Sequence, residues 1–365
     1  MLTRFTVSNY RGFETPVTLD LCHPREYTFN TSYVADGIVR NSLVIGPNTS
    51  GKTNLLKALA DIRMNFFMPD SAFAPPQLDD GFLNANTTKK AAEFEYEFRF
   101  GNTSVGYRYA KTSSHRIADE TLAVDDAIVF EYSTAEGLGK SNLDIIGAES
   151  LNWAFSDDYS SALAYVSSNA PIKRGGVLDR LRTFISRITL ATHDGWNSSE
   201  VLNRYLSTII DKDLVVELEG FLNEFGVDEK LTILQNADGS RAIYCKYARP
   251  VPFAHCMSSG TRTLVSLFYM YRASSQRVLY LLDEFDAYCH FELADKLIRY
   301  FGSVGDCQTI CTTHNTSLTR NNVMRPDCIF MFGTDGSLRA LSERTSRELR
   351  FGNNVERLLR NGEFD

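Results

Sequence analysis

Much of what this 365-residue chain could be is excluded by what it lacks. No uninterrupted apolar run is long enough to span a bilayer. The first residues show no charged-then-apolar signal pattern, so the expected compartment is the cytoplasm. Its seven cysteines, at 22, 245, 256, 289, 307, 311 and 328, form no C-x-x-C pair. They read as reduced core thiols, not as disulfides or zinc ligands. Basic charge is in deficit: 38 Lys and Arg stand against 45 Asp and Glu, a net charge of −7. That excludes a protein that coats nucleic acid over its whole surface and leaves only a local basic patch for such a role. There is no internal repeat, no low-complexity tract and no sustained heptad pattern, so neither a solenoid nor a long coiled-coil arm is expected. What remains, 43% hydrophobic and 23% charged, is an ordinary globular chain long enough for one large domain or two of common size.

What is present begins with Gly46-Pro47-Asn48-Thr49-Ser50-Gly51-Lys52-Thr53, a match to G-x-x-x-x-G-K-[ST] at every fixed position. The apolar run Leu43-Val44-Ile45 precedes it, and Asn54 opens a helix-like segment expected to reach about Phe67. Strand, glycine loop and helix are the setting in which this pattern binds phosphate. The glycines let the backbone curl until successive N–H groups converge, and the helix N-terminus adds partial positive charge. Lys52 reaches the β- and γ-phosphates of a nucleotide, and the Thr53 hydroxyl sits on Mg²⁺. The plainer reading is a glycine turn before an ordinary helix.

Around this loop the chain divides into three expected parts. Residues 1–136 hold an edge strand at 1–7, the turn Asn9-Tyr10-Arg11-Gly12-Phe13, the loop itself and a meander of strands. Within the meander Phe94, Tyr96, Phe98 and Phe100 alternate with polar residues. Residues 137–229 read as an inserted helical lobe, with Leu178, Leu181, Phe184, Ile185 and Ile188 at helical spacing through Leu190. Residues 230–365 return to α/β logic. They open with a hairpin turning at Asp238-Gly239, and a helix is expected over 262–274.

Four further elements bear on the phosphate. The apolar strand 278–282 ends in Asp283-Glu284, at the strand end where α/β sheets place chemistry. There Asp283 can hold Mg²⁺ through water, and Glu284 can deprotonate the water that attacks the γ-phosphate; the alternative is an acidic strand end. Ser258-Ser259-Gly260-Thr261 precedes a helix. It is either a plain cap or a cap aimed at a phosphate held by a second subunit. His314 follows the strand 309–312 and can report on the γ-phosphate, or be structural. Arg11 could lie over adenine or the α-phosphate, or be a surface arginine. No second carboxylate or histidine cluster suggests nuclease chemistry; His193-Asp194 stands alone.

In this order, Asn-Tyr-Arg-Gly-Phe, GPNTSGKT, MSSGTRTL, LLDEFDAYCH and TTHNTSL resemble the ABC-type ATPase head of the RecF, SMC and OLD class. The tail 354–364, Asn-Val-Glu-Arg-Leu-Leu-Arg-Asn-Gly-Glu-Phe, is similar to that of stand-alone AAA-ATPase-like proteins of the RloA and AbiL abortive-infection type. The likeness covers about 1–135 and 230–365. It implies an α/β fold: a P-loop NTPase head with a β-rich N-terminal arm and an inserted helical lobe. It implies ATP and Mg²⁺ as cofactors. Lys52 and Thr53 become Walker A contacts, and Asp283 and Glu284 the Walker B pair. Ser258 and Gly260 become signature contacts across a two-fold dimer, Asp286 a D-loop residue and His314 the switch histidine. Ser-Ser-Gly-Thr departs from the Ser-Gly-Gly-Gln of transporter heads. A Q-loop glutamine is not placed by spacing, although Gln77 lies in a loop of suitable polarity. The TOPRIM nuclease of OLD proteins is not expected after His314. The implied function is an ATP-hydrolysing dimer that senses a trigger and gates a separately encoded effector, a nuclease or toxin, in anti-phage defence. The alternative is a RecF- or SMC-like repair or maintenance ATPase acting on DNA, with Lys173, Arg174, Arg180, Arg182 and Arg187 as its basic face. Neither reading involves a membrane.

Overall fold

Strict alternation of aromatic and polar residues builds the first sheet. In the computed structural model, which describes residues 1–67, 81–155, 161–192, 198–274, 278–305 and 307–364, seven antiparallel strands pair side by side. Their order is Gly137–Ser141, Ala127–Ser133, Arg116–Val124, Thr103–Ser113, Ala92–Phe100, Leu2–Ser8 and Val17–Asp20. Phe94, Tyr96 and Phe98 turn to the buried face while Glu93 and Glu95 stay outside, as period-two patterning requires. Gln77 and His193-Asp194 lie outside the described residues.

The second sheet is built from continuous apolar runs. Its order is Ile188–Ala191, Leu279–Leu282, Gln308–Thr312, Asn41–Ile45, Ile329–Phe332 and Leu338–Ala340. The first five run parallel and the last is antiparallel. Strands covered on both faces carry no alternation, and the central four are buried throughout. The strand feeding the glycine loop therefore lies between those leading to His314 and to the C-terminal turn. Three chemical motifs leave the same carboxyl edge of one sheet, where open α/β folds bind ligands.

One polar fixture joins the two sheets, and a second ties the antiparallel sheet to the helix after the loop. The Gln308 side chain behaves as a piece of backbone. Its Oε1 accepts from the Leu2 N–H at 2.7 Å, and its Nε2 donates to the carbonyls of Leu2 at 2.9 Å and Val39 at 3.2 Å. The helix after the loop, Lys52–Phe67, buries Leu55, Leu56, Leu59 and Ile62 and carries Asp61 at its middle. Lys111 of the antiparallel sheet is fully buried and donates to Asp61 at 3.0 Å and to Asn65 at 2.9 Å. Tyr109 adds a bond to Asp61 at 2.8 Å. A buried cation is tolerable only when paired and fully bonded, as this one is.

The middle segment departs from its helical reading. It contains the helices Ala162–Asn169, Val177–Ser186, Ser199–Asp211 and Val215–Glu224, but Ile188–Ala191 is a strand of the central sheet. The helix expected through Leu190 ends at Ser186, because Ile188, Thr189 and Leu190 pair with Leu279, Tyr280 and Leu281. Partners distant in sequence override local period, and β-branched residues favour the outcome. Gly137–Ser141 is likewise a strand. The hairpin Leu231–Gln235 and Arg241–Cys245 forms as expected. The helix expected over 262–274 spans Ser259–Phe268 and continues as a π turn, Tyr269–Ala273. Among the described residues no helix is long and apolar enough to cross a membrane.

Candidate functional site

The loop wraps its own lysine. Lys52 is buried, and its Nζ donates to the carbonyls of Gly46 at 3.0 Å and Pro47 at 2.9 Å. Burial pushes the ammonium below its ordinary value, while the Glu284 and Asp283 carboxylates oppose that shift. Gly51 has φ 103°, in the region that favours glycine, and a Cβ there would lie 2.4 Å from the Phe13 ring. Thr49, at φ 65°, completes the curl. Pro47, Asn48 and Thr49 are exposed, and Ser50, Gly51 and Asn54 half-buried. A curled backbone with a lysine at its centre, closed to any side chain at Gly51, fits a phosphate-bearing ligand.

Opposite the loop stands Asp283, nearly buried. The Thr53 hydroxyl donates to its two carboxylate oxygens, at 3.1 and 2.9 Å. A threonine hydroxyl and a carboxylate facing each other are hard oxygen donors of the kind Mg²⁺ takes, so these two residues fit that ion. Glu284 follows with φ 46°, an uncommon conformation for a residue with a side chain. Its N–H donates to the Thr312 Oγ1 at 2.8 Å, and the same hydroxyl donates to Asp283 at 2.7 Å. The Glu284 carboxylate lies 3.5 Å from the His314 Nε2, with both side chains partly open to solvent. Asp286 turns inward and accepts from the Thr313 hydroxyl at 2.7 Å, and burial raises its carboxyl above the ordinary value.

Lys52, Thr53, Asp283, Glu284 and His314 are thus linked around one sheet edge. Ser258, Gly260 and Arg11 are not part of that network. Ser258 is exposed and caps the helix Ser259–Phe268 by accepting from the Thr261 N–H at 3.1 Å. Gly260 packs on the Tyr288 carbonyl, 3.2 Å from where a Cβ would stand. Among the described residues neither bonds the loop of its own chain. Arg11 is exposed, its Nε donating to the neighbouring Tyr10 hydroxyl at 3.0 Å. Two hydroxyls, Thr312 and Thr313, had no assigned part in the sequence reading. The only signal for them is their place immediately before His314, at the end of a buried parallel strand.

A family model described as "AAA domain, putative AbiEii toxin, Type IV TA system" matches residues 42–320. No curated protein matches the chain in sequence. Among solved structures, an SMC head bound to the C-terminal winged-helix domain of ScpA is similar at 15% identity and a TM-score of 0.50. The alignment covers 94% of this chain and 98% of that one. An SMC head domain from Thermotoga maritima aligns over 93% and 97% of the two chains, at 15% identity and a TM-score of 0.47. The first likeness shows a mixed α/β fold like that of an SMC head, with a β-rich N-terminal sheet and helical segments.

Proposed function

The chain belongs to the AAA family of that description, and from this premise we propose that it is an ATP-binding and hydrolysing head that dimerises and gates a separately encoded effector. The contact of Thr53 with Asp283, 2.9 Å at its shorter, beside Glu284 and His314, carries the reading. It joins a phosphate loop to a carboxylate pair on the next strand but one, across Gln308–Thr312, the minimum that hydrolysis requires beyond binding.

Lys52 would place its charge against the β- and γ-phosphates, and the loop N–H groups would orient them. Thr53 and Asp283 would hold Mg²⁺, which when bound neutralises charge developing on the phosphate oxygens. Glu284 would orient and deprotonate the attacking water, and His314, beside it, would sense the γ-phosphate. Ser258 is exposed and Gly260 half-buried on a helix cap that makes no bond to that network. We assign them, with Asp286, to a site completed by a second copy, which makes the interface two-fold. We divide the chain into a head formed by 1–136 and 230–365 and a lobe at 137–229 that is tied to the head by its strand Ile188–Ala191.

The family description supports a role in toxin–antitoxin or anti-phage defence, and the tail motif supports the RloA and AbiL branch. The effector would then be a nuclease or toxin, acting in the cytoplasm. The test is turnover and mass of the purified chain with ATP. Glu284→Gln should lower turnover by about 100-fold or more and accumulate a nucleotide-bound dimer. Unchanged hydrolysis in that variant would falsify the mechanism.

A DNA-acting ATPase is the second reading, favoured by the exposed basic residues Lys173, Arg174 and Arg182. Arg180, of the same basic segment, is already engaged with the Phe100 carbonyl at 3.2 Å. ATPase stimulation by DNA that fades steeply with salt would select this reading.

A further inference from the structure

The turn Asn9 to Phe13 has a task that the phosphate-binding roles leave unassigned. Asn9 and Arg11 adopt left-handed backbone, at φ 52° and 49°. Outside glycine that conformation persists only where its surroundings enforce it. Here the enforcement is visible. The Asn9 amide donates to the carbonyls of Lys89 at 3.1 Å and Ala91 at 2.8 Å. The Arg11 N–H donates to the Phe82 carbonyl at 2.9 Å. Tyr10 and Phe13 exchange backbone hydrogen bonds at 3.0 and 2.8 Å.

What the turn delivers is the Phe13 ring. It lies against Gly51, where an added Cβ would be 2.4 Å from Cε1 and 2.8 Å from Cζ. It stacks on Phe332, with centroids 6.0 Å apart and planes within 10°. Phe332 in turn lies against Gly46, where an added Cβ would be 3.2 Å from the Phe332 Cβ. Both rings are buried. Gly51 therefore rests on the Phe13 ring, and that ring is backed by Phe332, which stands at the end of the strand Ile329–Phe332 and meets Gly46 only through its Cβ.

We propose that Phe13 is a positioning residue that holds the phosphate loop in its binding shape through ring contact with Gly51, and that the Phe332 ring positions Phe13 by stacking on it. The inference rests on the nucleotide reading above. Glycines make the loop able to curl but supply no stiffness. The aromatic pair supplies it from below, leaving the N–H groups facing the ligand. Without that support the loop holds the competent shape only part of the time. The apparent Kd then rises by the reciprocal of that fraction. Once ligand is bound the geometry is restored, so saturated turnover is spared.

The test uses the full chain, a fluorescent ATP analogue with Mg²⁺ for Kd, and steady-state hydrolysis for KM and kcat. Phe13→Leu and Phe332→Leu should each raise Kd and KM about fivefold or more, with kcat held within about twofold. Phe130→Leu, in a buried ring of the antiparallel sheet that packs on Trp153 at 5.9 Å, removes similar core volume far from the loop and should leave Kd unchanged. If Phe13→Leu does not fold, Phe332→Leu still decides the matter. A Kd unchanged in both ring variants, or raised equally by Phe130→Leu, overturns the inference alone. A wild-type chain that binds no ATP overturns the nucleotide reading and the inference with it.

Discussion

At Thr312 a single hydroxyl accepts from the Glu284 N–H and donates to Asp283. It thereby fixes both members of the carboxylate pair, one through its side chain and the other through backbone held in an uncommon conformation. Thr312→Val keeps the shape and removes both bonds. The Glu284 N–H loses its partner and Asp283 loses one of its donors. Supporting partners of metal-binding residues are worth roughly 10- to 100-fold in activity, and kcat should fall by about that much. Thr312→Ser should keep most of it. Single-turnover hydrolysis measures this without interference from product release, and equal rates for the valine and threonine chains would refute the role. The same residue marks what the sequence could convey. Lys52, Thr53, Asp283 and Glu284 can be nominated from the sequence because contiguous residue types suggest their chemistry, and the structure brings them to one sheet edge. The part played by Thr312 depends on which strand lies beside Leu279–Leu282, and that adjacency is set by packing between segments far apart in the chain.

Among elements, the helix Ala162–Asn169 is docked onto the antiparallel sheet by one buried carboxylate. Glu120 accepts from the Tyr107 hydroxyl at 2.6 Å, the Ser161 hydroxyl at 2.7 Å, and the N–H groups of Ala162 at 2.5 Å and Leu163 at 3.0 Å. The last two are first-turn donors that no helical carbonyl reaches, so an acceptor at this helix start is in its natural place. Burial raises the carboxyl above its ordinary 4.5, and these bonds only partly offset it. The sign follows. A folded value above the unfolded one means that the native chain holds the proton more tightly. The stability this brings is fully present below the unfolded pKa and is lost as pH rises through the folded value. Glu120→Gln removes the titration. Urea midpoints for the two chains should therefore shift in favour of the glutamine variant as pH rises from about 4.5 to 7, whichever is the more stable at the start. A gap independent of pH would contradict the assignment. Strand pairing between segments far apart in the chain explains why 188–191 reads as helix in the sequence. Its local pattern continues the preceding helix, and only its alignment with Leu279–Leu282 makes it a strand.

For the whole molecule the open matter is whether one chain holds a complete site. The cap at Ser258 lies outside the network of Lys52 and Asp283, and its hydroxyl is occupied by Thr261. If Ser258 serves the loop of a second copy, the two halves of one site sit on different chains, and each can be inactivated separately. Lys52→Ala removes the charge from every loop in its homodimer. Ser258→Arg places a bulky cation in every opposing cap, at a cost to the helix of about 1 kcal/mol for the lost side-chain acceptor. Each variant alone should be inactive. Mixed in equal amounts and allowed to exchange, half of the dimers are mixed. Each of those contains one site with neither substitution and one with both. Activity should then return to about a quarter of the wild-type rate, since half the dimers contribute one of two sites. A self-sufficient pocket predicts otherwise, because the Ser258→Arg chain alone would hydrolyse ATP normally and the mixture would merely average the two. Recovery on mixing thus requires that the cap of one chain complete the loop of the other, and an inactive mixture of two folded, exchanging chains would count against it.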